Sequence, residues 1–166
     1  MGKKVVKIVT RIESVSQKLK PHEVPSVRVC AYCRVSTDGA DQKNSFESQV
    51  DYYTRLIAEK EGWVCVGIYA DEARSGTKTT KRDDFNQMLQ DCRPGKIDMI
   101  VTKSVTRFAR NTVDSIQAIR ELKSMGIAVY FEKERVNTLS EDSEQLITIL
   151  SSIAQGKSKS ISSNNK

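Results

Sequence analysis

Apolar residues follow two periods along this chain, and the periods alternate. Residues 27 to 35 (Val-Arg-Val-Cys-Ala-Tyr-Cys-Arg-Val) are β-branched or aromatic with little charge, as in a strand buried on both faces. The run stops at Ser36-Thr37-Asp38-Gly39, which reads as a turn or loop. From Ser45 to Glu61, Phe46, Val50, Tyr53, Leu56 and Ile57 keep helical spacing, with Ser45 placed as N-cap and Gly62 as stop. Trp63 to Ala70 predicts a second strand, Asp71 to Arg82 a polar loop, and Phe85, Met88, Leu89 and Cys92 a helix ended by Arg93-Pro94-Gly95. Ile97 to Thr102 reads as a third strand. Val113, Ile116, Ile119, Leu122 and Met125 form one stripe of a helix over residues 112 to 125, closed by Gly126 before a strand from Ile127 to Phe131. Leu146, Ile147, Leu150, Ile153 and Ala154 mark a further amphipathic helix from Ser143 onward.

Strands alternating with helices predict an α/β domain: a mostly parallel sheet of four to five strands with helices on both faces. A chain of 166 residues, 38% hydrophobic, accommodates one ordinary core. The expected division is a basic N-terminal arm over residues 1–26, a domain over 27–140 and a C-terminal helix over 141–166. Pro21 and Pro25 argue against a continuous helix joining the arm to the domain.

The net charge of +6 is unevenly placed: residues 1–28 carry +5 and residues 156–166 carry +3, leaving −2 for the stretch between. A polyanion would meet the two ends and local arginine clusters first, although solvated tails would look the same. No run approaches the roughly 18 apolar residues of a membrane span, and the N-terminus lacks the apolar stretch of a secretory signal, so a cytoplasmic protein is the default. Cys30, Cys33, Cys65 and Cys92 are too few and scattered for a disulfide framework. Cys30 and Cys33 form a C-x-x-C, but an odd offset on a strand sends the two sulfurs to opposite faces.

In parallel sheets, function gathers at the carboxyl ends of the strands. Here those ends are rich in arginine and hydroxyl groups. The first strand ends in Arg34-Val35-Ser36, with Arg34 and Ser36 two apart and so on one face. The second is followed by Asp71-Glu72-Ala73-Arg74-Ser75-Gly76, with Arg82 beyond. The third runs into Lys103-Ser104-Val105-Thr106-Arg107-Phe108-Ala109-Arg110-Asn111, in which Arg107 and Arg110 would share one side of a helical turn. A serine hydroxyl is a weak nucleophile unless its proton is taken or the charge it creates is stabilised. The single histidine, His22, lies in the arm, which argues against a Ser-His-Asp triad. Several guanidinium groups aimed at one phosphoryl group would instead stabilise its transition state, which describes a phosphate-handling α/β domain. Asp71 and Glu72 could hold Mg²⁺ but lack an evident third carboxylate.

The order of these segments resembles the catalytic domain of serine site-specific recombinases, the resolvase and invertase family, and most closely its large members from transposons and phages. Tyr32-Cys33-Arg34-Val35-Ser36-Thr37 is similar to the family's nucleophile segment, and Ser45-Phe46-Glu47-Ser48-Gln49 to the Ser-x-x-x-Gln of its first helix. Tyr69-Ala70-Asp71-Glu72, Ser75-Gly76 and Arg82-Asp83-Asp84-Phe85 resemble a second block, and residues 101–111 a third.

The resemblance implies that Ser36 attacks a DNA phosphodiester and forms a 5′-phosphoserine link, with Arg34, Arg82, Arg107 and Arg110 binding the scissile phosphate. It implies supporting roles for Gln49, Asp71 and Ser75, a DNA contact for Lys103, and no metal or other cofactor. Its implied partners are double-stranded DNA and further copies of the chain, as a homodimer and a synaptic tetramer held through the helix from residue 143. The family's sequence-selecting DNA-binding domains have no counterpart after residue 155, so this reads as a truncated catalytic domain, inactive alone. Thr106 stands where some relatives have an acidic residue, and Gly156-Lys157 where acidic residues are usual; the glycine should weaken its helix by about 1 kcal/mol. The rival readings are a catalytically silent interaction domain of the same fold and a metal-dependent nuclease or phosphatase built on Asp71 and Glu72.

Overall fold

The computed structural model describes residues 26–36, 42–73, 82–109 and 111–163. Of the expected basic arm, only residue 26 falls among them. Among the described residues, five strands form one sheet: β1 (Val27–Ser36), β2 (Trp63–Ala73), β3 (Met99–Thr102), β4 (Ala128–Phe131) and β5 (Val136–Asn137). The helices among the described residues are α1 (Gln42–Ala58), α2 (Asp83–Cys92), α3 (Val105–Phe108), α4 (Thr112–Ser124) and α5 (Ser143–Ser163). The sheet order is β2-β1-β3-β4-β5, with the first four strands parallel and β5 antiparallel to β4.

Both faces of β1 are buried, as its unbroken apolar run requires. Cys30 and Tyr32 face a core completed by α2, α3, α4 and α5, including Phe85, Met88, Phe108, Ile119 and Leu122. Val29, Ala31 and Cys33 face the opposite side, where Tyr53 and Ile57 of α1 cover them. The C-x-x-C is thereby split between two cores, and all four thiols are free.

Several boundaries differ from those the sequence predicts. The α1 helix begins at Gln42 rather than after an N-cap at Ser45, and it stops at Ala58. Its final turn tightens, with the Lys60 amide donating to the Ile57 carbonyl at 3.2 Å, before Gly62 turns the chain at φ 77°. Residues 97 and 98 lie outside β3, because the Asp98 carboxylate binds the backbone and guanidinium of Arg28 at 2.8 to 2.9 Å. Asp71 and Glu72, expected in a loop, belong to β2, which pairs with β1 as far as Ser36 opposite Ala73. The two-residue β5 is too short for any periodicity; it folds back on β4 through a turn in which Arg135 adopts φ 56°. Gly156 does not interrupt α5. Ile147 and Leu150 of that helix are buried, whereas Ile153, expected on the same stripe, is 44% exposed.

Between β1 and β3 the topology reverses direction, since β1 connects outward to β2 and the chain then returns to the other side of β1. Loops at the carboxyl ends of those two strands diverge and leave a crevice. This is where the molecule has room for a ligand.

Candidate active site

A cleft of about 630 Å³ opens at that crevice. Its walls come from Tyr32, Cys33 and Arg34 at the end of β1, Thr102 and Lys103 at the end of β3, and Arg107 on α3. The β4–β5 turn adds Glu132 and Lys133, and α1 adds Gln49, Tyr52 and Tyr53. Four residues singled out in the sequence thus meet around one space: Arg34, Gln49, Lys103 and Arg107. The last residue of β1 is Ser36, two beyond Arg34 along the same strand. Ser75 and Arg110 lie outside the described residues.

Each cation has a local reason for its place. Phe108 is fully buried, with its ring edge-on to Tyr32, Phe85 and Phe131. It anchors the single turn of α3, which leaves the neighbouring Arg107 exposed at the cleft. Lys103 follows directly after β3, where the strand leaves the core. Gln49 lies one helical turn before Tyr52 and Tyr53, whose hydroxyls donate to the two carboxylate oxygens of Glu132 at 2.6 and 3.0 Å. That clamp ties α1 to the end of β4.

Arg82 is not at this cleft. Its guanidinium stacks on the Phe85 ring, 3.8 Å from the centroid, and donates to the Tyr32 hydroxyl at 2.9 Å and to the Phe108 carbonyl. It borders a separate hollow of about 330 Å³ with Phe85, Asn86, Ala109 and Asp114. Tyr32 connects the two places, since it lines the cleft and its hydroxyl also donates to Asp71 at 3.0 Å. The sequence reading gave Tyr32 no role of its own; its position two before Arg34 on the same strand was the available signal.

Asp71 is engaged by donors from within the protein. It is 6% exposed, and besides Tyr32 its carboxylate accepts the backbone amides of Asp84 and Phe85 at 3.1 and 3.0 Å. Those amides open α2, so β2 supplies the cap that the helix's own N-cap residue, Arg82, does not. With its oxygens committed and Glu72 next to it on a strand, Asp71 makes a poor metal ligand. Cys33 lines the cleft, but burial pushes its thiol up to about 12, so it is protonated and weakly nucleophilic near neutral pH.

The tyrosines set an alkaline limit. The carboxylate of Glu132 raises Tyr52 from 10.0 to about 12, and burial raises Tyr32, Tyr53 and Tyr69 further. The folded state holds these protons more tightly than the unfolded chain. Their contribution to stability is therefore complete below pH 10 and is lost as pH rises through about 12. Urea unfolding across that range, followed with tyrosinate absorbance, is expected to show ionisation arriving together with unfolding. Four of the five tyrosines titrating freely in a folded chain would contradict the hydrogen bonds described.

The Resolvase, N-terminal domain family matches residues 29–166. The chain belongs to the resolvase family. Within it, the chain is 30% identical over 135 residues to the transposon Tn3 resolvase of Escherichia coli, covering 81% of this chain and 66% of that protein. Among solved structures, the N-terminal catalytic domain of TP901-1 integrase superimposes with a TM-score of 0.63 at 26% identity, over 80% of this chain and 97% of that one. A resolvase family site-specific recombinase from Streptococcus pneumoniae shares the fold, with a TM-score of 0.69 at 24% identity over 84% and 93% of the two chains. This resolvase-family chain thus spans about two-thirds of the length of the curated relative. No helix among its described residues is long and apolar enough to cross a membrane.

Proposed function

We propose that this chain is the catalytic domain of a site-specific recombinase that cuts and rejoins double-stranded DNA through Ser36. The observation that carries the reading is the cleft at the β1–β3 crevice, where Arg34, Lys103, Arg107 and Gln49 converge beside the strand that ends in Ser36. Family membership supports the same class of reaction.

In this reading the Ser36 Oγ attacks the phosphorus of a backbone phosphodiester and gives up its proton. The 3′ oxygen leaves and gains a proton as the free hydroxyl, and the 5′ phosphate becomes an ester of Ser36. Cationic groups offset the charge that builds on the non-bridging oxygens. Arg34 and Arg107 act from the cleft, and Arg110 is assigned the same task. Arg82 reaches the phosphate only by giving up its bonds to Tyr32 and the Phe108 carbonyl. Religation is the reverse: a DNA 3′ hydroxyl displaces Ser36, and the ester bond supplies the energy, so no nucleotide is consumed. Gln49 and Ser75 support the site, while Asp71 acts by holding Tyr32 and the start of α2. Partner copies are assigned to α5, where Ile149 and Ile153 are 58% and 44% exposed. Target choice is assigned to DNA contacts outside this domain.

The test incubates the protein, in the length its cell makes, with that cell's DNA in buffer containing EDTA. A nucleotide joined to the peptide that carries Ser36, found by mass spectrometry, is the expected result. Cleavage that disappears with EDTA and leaves no adduct would replace the serine route with a metal-dependent one.

A further inference from the structure

Lys133 plays no part in the reading of the sequence, yet it stands on the wall of the cleft. The ladder between β3 and β4 continues beyond both strands: the amides of Glu132 and Lys133 donate to the carbonyls of Thr102 and Lys103 at 3.0 and 2.9 Å. Lys103 and Lys133 therefore sit on adjacent strand extensions, about 5 Å apart in backbone spacing. Both side chains are exposed. Neither has an ion-pair or hydrogen-bonding partner among the described residues. Lysines elsewhere on the protein do pair, Lys123 with Glu144 at 2.7 Å and Lys96 with Asp91 at 3.8 Å. Glu132 is the one carboxylate among the described lining residues, and both its oxygens are engaged by Tyr52 and Tyr53.

A second observation comes from the same wall. Thr102 is fully buried, lines the cleft, and its hydroxyl has no hydrogen-bonding partner. That hydroxyl lies beneath the surface, a buried group left unsatisfied at about 1–3 kcal/mol, so the groups this wall offers to a ligand are the two exposed lysines. Two exposed ammonium groups without a carboxylate partner form a lining suited to phosphate oxygens.

We infer that Lys133 is a DNA-binding residue that holds, together with Lys103, a backbone phosphate next to the one attacked by Ser36. The inference rests on the proposed recombinase reading and extends its contact surface along the strand to the β4 wall. A lysine suits this task, since a flanking phosphate requires a point charge and not the bidentate grip of a guanidinium.

Binding of this chain to a duplex of mixed sequence, measured by fluorescence anisotropy from low to moderate salt, tests the assignment. Each phosphate contact contributes about 0.9 to the slope of log affinity against log salt. Lys133→Ala is expected to lower that slope by about one, and Lys133→Arg to restore it. Lys96→Ala, which lies away from the cleft, is expected to leave it unchanged. An unaltered slope in Lys133→Ala, with Arg107→Ala still lowering it, would overturn the role of Lys133 while the recombinase reading stands. Wild-type binding that is absent, or indifferent to both Arg34→Ala and Arg107→Ala, would overturn the cleft as a DNA site and this inference with it. Thermal melting of each variant shows that a lost contact is not a lost fold.

Discussion

Replacing Ser36 with alanine is expected to reduce covalent attachment to DNA by roughly 10⁴-fold or more, the scale on which loss of a nucleophile acts in enzymes that form covalent intermediates. The chemistry explains the size. Cationic groups stabilise charge on the phosphoryl oxygens, but an ester to the protein cannot form without the Ser36 Oγ. Cys33, three residues earlier on the same strand and so on its other face, is no substitute, and burial keeps it protonated. The cations that hold phosphate are left in place, so affinity for DNA should change by less than about threefold. The measurement pairs adduct yield on denaturing gels with binding of the same duplex. Adducts that persist at wild-type level would remove Ser36 from the mechanism; binding lost in parallel with adducts would make it a structural residue.

The largest effect on stability is expected at Asp71. Changing it to alanine leaves three donors without their acceptor: the Tyr32 hydroxyl and the amides of Asp84 and Phe85. Two of these three bonds are buried, so water replaces them poorly. At about 1–3 kcal/mol for each unsatisfied buried group, the loss should reach about 3–5 kcal/mol. That is a large part of the roughly 5–15 kcal/mol that holds an ordinary domain folded. Asp71→Asn keeps one acceptor oxygen but turns an amide toward donors, and should lose about half as much. Urea denaturation checks both, with a lower midpoint and an unchanged slope as the expected signature. A loss below 1 kcal/mol in Asp71→Ala would mean that the carboxylate does not cap α2.

Elements with long, regular patterns were legible in the sequence. The apolar run at residues 27–35, the stripe Ile116, Ile119 and Leu122 and the glycine stop at 126 depend on neighbours within a few positions, and each lies where expected, whereas Val113 of that stripe is exposed and α1 ends at Ala58, short of Gly62. The C-terminal ends of strands also pointed to Arg34, Lys103 and Arg107, which line one cleft. Short elements escaped notice: β5 and the turn before it span six residues and hold no repeat of either period. The polar pair Asp71-Glu72 reads as loop because burial of a carboxylate is unfavourable unless donors converge on it, and the donors here come from an element 12 or more residues away.

By itself, then, the sequence determined an α/β domain, its main strands and helices, and a set of phosphate-seeking side chains at strand ends, because hydrophobic period and residue chemistry are local. Tertiary structure decided which strand ends are neighbours. It placed the crevice between β1 and β3, drew Arg82 away to Tyr32 and Phe108, and made Asp71 a helix cap. It also brought Glu132 and Lys133 from the β4–β5 turn to the cleft. These outcomes depend on pairing between segments tens of residues apart, where the free energy of the assembled sheet and its cores, and no local pattern, selects the arrangement.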